Sequence, residues 1–325
     1  MTVKTGIEPE ASHGVPPDPR SRLLAGLAVS ERRLALAGVP TAVLEAGEGP
    51  PAVLLHEPGS FAAQWLQVLP EIARSHRVIA PDMPGHGATG LGDGELDAPR
   101  VLAWLAELIE RTCESPPALL GHLGSGAIAA RLAIAQAPPL RSLVLVDSFG
   151  LGKFRPAPRF ALALFRYVAR PTPRTYAGLM NHCAVDFAAV RAGLGERWDA
   201  FESYTLDRAR SAEGKAALRV MMRELAVPAI PAGELERIAV PVTLIWGRQD
   251  PVNRLPVAEA ASERYGWPLE VIEEAGDDPP LEQPQALLRA LRSALAPFVD
   301  SVDADGIYDV VENHVYSKPI EDRKK

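Results

Sequence analysis

The stretch that most constrains this chain is LLGHLGSGAIAARLA, residues 119–133. A short apolar run ends at Gly121, a turn follows, and from Gly124 small residues alternate with aliphatics at helical spacing. It reads as a strand, a sharp turn and a helix. Gly121, Gly124 and Gly126 permit the strained backbone such a turn needs. A turn of this kind lifts its central side chain above the end of a sheet, where Ser, Cys or Asp would serve as a nucleophile. The residue there is Leu123.

Seven further apolar runs share the character of the first. In chain order the candidate strands are RRLALAG, TAVLEAG, AVLLHE, RVIAPD, PALLGH, SLVLVD, PVTLIWG and LEVIEE. From AVLLHE onward each is followed by a helical pattern or an inserted segment, which predicts a mostly parallel eight-stranded sheet flanked by helices. Ligands of such sheets collect at the carboxyl ends of the strands. The rhythm breaks over residues 149–235, where i, i+3, i+4 spacing punctuated by prolines predicts several short helices. The expected organisation is therefore a core over 19–148 and 236–299, with an inserted helical cap over 149–235. Residues 1–18, rich in Pro and Glu, read as a disordered leader, and 300–325 as a tail that docks or stays loose.

Composition narrows the partners. A net charge of −7, with a basic cluster only in the terminal EDRKK, argues against nucleic acid. No segment offers the roughly 18 consecutive apolar residues that span a bilayer, and the N-terminus lacks a signal-peptide core. The expectation is a cytoplasmic protein without a membrane partner. Cys113 and Cys183 are far apart, with no spacing suggestive of a disulfide framework or zinc, so no metal or cofactor is expected.

Five ordered segments, LLHEPGSFAAQW, RVIAPDMPGHGATG, LLGHLGSGAIAARLA, TLIWGRQDPV and EEAGDDPPLEQPQALL, resemble the α/β-hydrolase superfamily over roughly residues 30–298. The resemblance is specifically to the capped, single-domain branch of esterases, epoxide hydrolases, dehalogenases and carbon–carbon hydrolases. The resemblance implies an α/β-hydrolase fold. It also implies that Leu123 takes the nucleophile position, that Asp250 takes the acid position, and that Asp277 stands where the family carries its histidine. His56, Gly59 and Gly124 would belong to the oxyanion loop and elbow, with Glu57 where the family prefers Gly.

Leucine has neither a lone pair nor a transferable proton, so triad acyl transfer has no nucleophile here. Pro58 offers no backbone N–H, and a Glu57 carboxylate would repel a developing oxyanion. Ser125, two residues beyond the crest, is a weaker candidate nucleophile, because a serine in the first helical turn faces the strand or caps the helix. Asp250 and Asp277 are expected to converge. Two close carboxylates do not both ionise cheaply, and such a pair can perform acid and base chemistry without histidine. Asp278 and Asp277 read equally as turn formers before Pro279.

His56, His86 and His122 are expected to be structural, while His182 is the one histidine placed to reach down from the inserted segment. Phe154, Phe160, Phe165, Tyr167, Met180, Trp198, Met221 and Met222 are expected to be mostly core, a few of them lining an apolar cavity. Three functions stay open: a non-hydrolytic enzyme using Asp277, Asp250 and Glu57 on a small apolar substrate; a non-catalytic protein that binds a ligand or partner; and an esterase using Ser125. Oligomeric state is not legible.

Overall fold

A computed structural model describes residues 18–296. The expected leader, apart from Asp18, and the tail lie outside them. Asp18 opens the described chain by capping α1 (Pro19–Leu24), its side chain accepting the N–H groups of Arg20 and Ser21.

All eight expected strands form one sheet. They are β1 (Ser30–Leu36), β2 (Val39–Ala46), β3 (Pro51–Leu55), β4 (Arg77–Pro81), β5 (Ala118–His122), β6 (Ser142–Val146), β7 (Val242–Gly247) and β8 (Leu269–Ile272). Their order across the sheet is β1-β2-β4-β3-β5-β6-β7-β8, with β2 antiparallel to β1 and β4 and every other pairing parallel. Composition explains the order: β3, β5 and β6 are buried at every position and lie centrally, whereas the outermost strand β1 exposes its first four residues.

Helices cover both faces. After β3 come a short 3₁₀ segment, Ala62–Gln67, and α2 (Leu69–Ile72); α3 (Ala98–Thr112) follows β4 and α4 (Gly124–Ala135) follows β5. Helix α3 buries Val101, Trp104, Leu105, Leu108 and Ile109, one apolar face at helical spacing, and Asp97 caps its start. Helix α4 is buried almost all round, which its Gly, Ala and Ile composition permits. Between β6 and β7 there is no strand. That segment holds α5 (Pro158–Ala169), α6 (Pro173–Cys183), α7 (Phe187–Leu194), α8 (Trp198–Arg210), α9 (Ala212–Met221) and α10 (Ala232–Leu235). The chain then adds α11 (Leu255–Tyr265) after β7, and α12 (Pro279–Glu282) and α13 (Pro284–Leu295) after β8.

The inserted helices share a core with the carboxyl ends of the strands. Leu123, Phe149, Val252 and Leu281 from the sheet side pack with Phe160, Tyr176, Phe187, Trp198 and Phe201 from the insertion. Aromatic rings stack or meet edge to face along this seam, Phe187 against Trp198 at 5.4 Å and Phe61 against Tyr204 at 4.8 Å between centroids. Phe165 is the exception among the aromatics of the segment and stands 69% exposed.

Candidate active site

The turn between β5 and α4 has the strained form its glycines permit. Leu123 sits at φ +49° and ψ −117°, a conformation that costs a side-chain-bearing residue of order 1–3 kcal/mol. Tight packing enforces it. A Cβ on Gly121 would lie 2.6 Å from the Cα of Gly126, and one on Gly124 would lie 2.9 Å from both Ala226 and Pro58. Leu123 donates its N–H to the Val146 carbonyl and accepts the N–H groups of Gly126 and Phe149, which ties the turn to the end of β6. Its side chain is only 5% exposed, within the apolar seam between sheet and insertion.

Ser125 is wholly buried. Its Oγ accepts the His122 N–H at 2.9 Å and lies at 2.9 Å from the carbonyls of both Leu55 and His122, to which it donates. These contacts fasten the end of β3 to the end of β5, and no imidazole is among them.

The histidines are held neutral by backbone geometry. His56 Nε2 accepts the Met83 N–H at 2.9 Å, so Nδ1 carries the proton and donates to the Glu57 carbonyl at 2.7 Å. Burial, with His86 nearby, holds its pKa well below the usual imidazole value. His122 Nδ1 accepts from the Gln64 amide at 2.9 Å and Nε2 donates to the Asp277 carbonyl at 2.7 Å; burial lowers its pKa to about 4. His86 is likewise lowered to about 4 by burial. His182 is exposed at the end of α6. The group from that helix that reaches the site is its neighbour Cys183, whose carbonyl accepts the Asp277 N–H at 3.4 Å and whose thiol is pushed up by burial and by the Asp277 charge.

Past the carboxyl ends of β3, β6, β7 and β8 the structure gathers carboxyl groups. Asp250 Oδ1 accepts the N–H groups of Val252 at 2.6 Å and Asn253 at 2.8 Å; Asp147 Oδ1 accepts that of Gly247 at 2.8 Å. The remaining oxygen of each, Oδ2, is buried without a hydrogen-bond partner. Burial raises Asp250 to about 7, and burial with the neighbouring Asp250 raises Asp147 well above the usual range. Asp277 is raised by burial first and by the charges of Asp250 and Glu282 next. Asp278 accepts from Gln64 at 3.1 Å and is raised by burial and by Asp277. Glu57 is raised by burial and by Asp278 and Asp277, yet it is the one of these groups that keeps partial exposure with no side-chain partner. Glu282 accepts three backbone N–H groups, from Val185, Gly276 and Asp278, and pins the loop after β8 to the insertion.

Sequence reasoning had placed Asp250, Asp277 and Glu57 here; Asp147, Gln64 and Glu282 join them. Asp147 carried a signal, since it ends the run SLVLVD and, like Leu123, takes a positive φ, +46°. Gln64 carried none, although it links His122, Asp278 and the Glu57 N–H, the last at 3.3 Å. That last bond also occupies an amide of the loop holding His56 and Gly59, and Gly59 itself is exposed at φ +104°. Among the described residues no Lys or Arg pairs with any of the six carboxyls, and no three His, Cys, Asp or Glu side chains converge as metal ligands would. Without a compensating cation, burial is relieved by protonation. Two surface hollows, of about 650 and 420 Å³, lie elsewhere, the larger between α1, β1 and α8.

The mostly parallel eight-stranded sheet flanked by helices agrees with comparison to known proteins. The chain belongs to the alpha/beta hydrolase family, whose model matches residues 52–290. It is 28% identical over 265 residues to a pimeloyl-[acyl-carrier protein] methyl ester esterase of Aeromonas hydrophila, covering 75% of this chain and 95% of that one. It is 34% identical over 125 residues to the 2-hydroxy-6-oxo-6-(2'-aminophenyl)hexa-2,4-dienoic acid hydrolase of Metapseudomonas resinovorans, a match spanning 37% of this chain and 43% of that protein. The solved structure of 2-hydroxy-6-oxo-6-phenylhexa-2,4-dienoate hydrolase from a Rhodococcus species superposes with a TM-score of 0.70 at 22% identity, over 82% of this chain and 98% of that one.

Proposed function

We propose that this chain is an α/β-hydrolase-family protein that has left triad hydrolysis and moves protons on a small apolar molecule held beneath α5–α9, which act as a cap. The observation that carries the reading is Leu123: a buried, aliphatic side chain at the crest of a strained turn that the packing around it still enforces. Nothing at that position can attack a carbonyl. With Asp277 at the position where the family resemblance expects histidine, and Ser125 engaged by three backbone groups, acyl transfer lacks both nucleophile and base.

The chemistry left to the site is acid–base. Glu57, held protonated by burial beside two further carboxyls, is a general acid with solvent access for exchanging its proton. Asp277 and Asp278 behind it set its proton affinity by their charge. Isomerisation, elimination or ring closure needs a proton delivered at one atom and withdrawn at another, and none of these needs a protein nucleophile.

The absence of a facing Lys or Arg restricts the substrate, because a buried anion would stay uncompensated. The matched relatives include hydrolases named for dienoic acids, which carry a carboxylate at neutral pH. A site of carboxyls with no facing cation disfavours such an anion, so the ligand of this chain is neutral or cationic. A second reading, ligand binding without turnover, is favoured by the near-complete burial of Leu123.

Two fluorescent probes test the charge rule. N-phenyl-1-naphthylamine and 8-anilinonaphthalene-1-sulfonate share one apolar skeleton and differ by a sulfonate. The neutral probe is expected to bind more tightly, by a margin that grows as pH rises and Glu57 ionises, and Glu57→Gln is expected to narrow the difference at the high-pH end. Equal affinities, or a preference that Glu57→Gln leaves unchanged, would sink the reading. Mass spectrometry of small molecules that co-purify with the full chain then separates turnover from binding: a molecule returned as an isomer or elimination product supports catalysis, one returned unchanged supports binding.

A further inference from the structure

Helix α5 is apolar on two faces. Its inward face buries Phe160 and Ala163 and half-buries Leu164 and Tyr167, as the first helix of the insertion should. Its outward face carries Leu162 (49% exposed), Phe165 (69%) and Val168 (43%), with Ala161 and Ala169 exposed on the same side. Three of the four large exposed hydrophobic side chains among the described residues belong to this helix. Scattered surface hydrophobics need no explanation, but a stripe at i, i+3 and i+6 along one helix face marks a contact surface.

Charge identifies what the stripe meets. Although the chain carries −7 overall, residues 148–185 contain Lys153, Arg155, Arg159, Arg166, Arg170 and Arg174 and no Asp or Glu. All six cations are exposed, and none takes part in an ion pair among the described residues. At 100° per residue Arg159 and Arg166 fall along one border of the apolar arc, and Lys153, Arg155, Arg170 and Arg174 flank the two ends of the helix. An acid-free block in an acidic protein, laid around exposed Phe, Leu and Val, matches a surface that is anionic at its face and apolar just beneath.

We infer that the outward face of α5 docks in the plane of an anionic lipid surface, with Phe165 and Leu162 entering the boundary between headgroups and acyl chains and the arginines pairing with lipid phosphates. This is contact with one leaflet, and no described helix is long and apolar enough to cross a membrane. It departs from the sequence expectation of no membrane partner, which weighed the charge of the whole chain rather than its segregation. An acidic protein would satisfy the arginines without needing the apolar stripe, so lipid is the better match.

Vesicle co-sedimentation of the full chain tests it. Binding is expected to phosphatidylcholine vesicles containing phosphatidylglycerol, weaker binding to phosphatidylcholine alone, and a steep loss between about 0.1 and about 1 M salt as the Debye length falls from ~10 to ~3 Å. Phe165→Ser is expected to lower partitioning about tenfold, and Arg159→Gln with Arg166→Gln about thirtyfold, with thermal melts unchanged because these side chains are exposed. The inference is overturned if phosphatidylglycerol vesicles do not bind, or if Phe165→Ser leaves binding intact. Salt-sensitive retention on poly-glutamate without vesicle binding would assign the face to an acidic polypeptide instead. A dimer in sedimentation that Phe165→Ser dissociates, again without vesicle binding, would assign it to a second copy of this chain.

Discussion

Asp147 and Asp250 follow the adjacent strands β6 and β7, and each commits Oδ1 to backbone N–H while its Oδ2 is buried without a hydrogen-bond partner. A buried carboxylate oxygen with no donor is relieved by protonation, and burial raises both groups, Asp250 to about 7. The pair lies behind Asp277, and its state sets how much charge the front of the site must bear. A proton lost from the back of the site raises the cost of losing one from Glu57.

This pair makes stability depend on pH in a stated direction. The folded-state value of Asp250 is raised to about 7 from an ordinary 3.8, so its stabilising effect is complete below about pH 4 and is lost as pH rises toward 7. The buried histidines work the other way. Held neutral, with His86 and His122 near 4, they cost stability as pH falls from 6.5 toward 4. Comparing Asp250→Asn with the native chain isolates the carboxyl term. The variant should gain on the native protein between pH 5 and pH 8 by on the order of 2 kcal/mol in urea unfolding, and a difference that stays constant with pH would show that Asp250 is not raised.

Leu123 should show an inverted preference for small residues. Truncation to alanine removes a buried side chain and is expected to cost about 2–4 kcal/mol. Truncation further to glycine normally costs more, but at φ +49° glycine is free of the strain that alanine retains. Leu123→Gly is therefore expected to equal or exceed Leu123→Ala in stability by up to about 1 kcal/mol, read from denaturant midpoints. The usual order, alanine above glycine, would show that the turn relaxes once the leucine is gone.

How much of this was legible follows from where each contact originates. The eight strands were readable because each is a short buried apolar run closed by Gly, Asp or Pro, a property of contiguous residues. Leu123 was readable for the same reason, its turn being written in glycines two and three residues apart. The nearness of Asp147 to Asp250 was hidden because it depends on β6 and β7 lying side by side after a long helical insertion. The partner of Asp277 was hidden by helix phase: at the end of α6 one residue of rotation turns His182 outward and Cys183 in, and no pattern in AGLMNHCAV fixes that phase. Gln64 was hidden because a single amide serving three loops leaves no periodicity.

Ser125 should behave as a structural residue. Its hydroxyl satisfies the buried His122 N–H, so Ser125→Ala leaves that group without a partner and is expected to cost about 1–3 kcal/mol in unfolding free energy. A fluorophosphonate probe is expected to leave both the native protein and this variant unlabelled, checked by intact-mass spectrometry. An adduct on the native chain that Ser125→Ala abolishes would restore the esterase reading.

Rebuilding the missing groups tests whether the inherited geometry still fits hydrolysis. Triad members act as a unit, so Leu123→Ser alone is expected to leave p-nitrophenyl acetate hydrolysis at background. Adding Asp277→His places an imidazole beside Asp250 and near the new hydroxyl, but Glu57 still presents negative charge, when ionised, where the oxyanion would form. Activity is expected to emerge weakly in the double variant and to rise by at least about tenfold when Glu57→Gly is added, since a single oxyanion-site group is worth 10²–10³ in rate. The rise should grow with pH as Glu57 would otherwise ionise. A double variant as active as the triple would mean that Glu57 does not face the reacting atoms, and the role of general acid assigned to it would fall with that result.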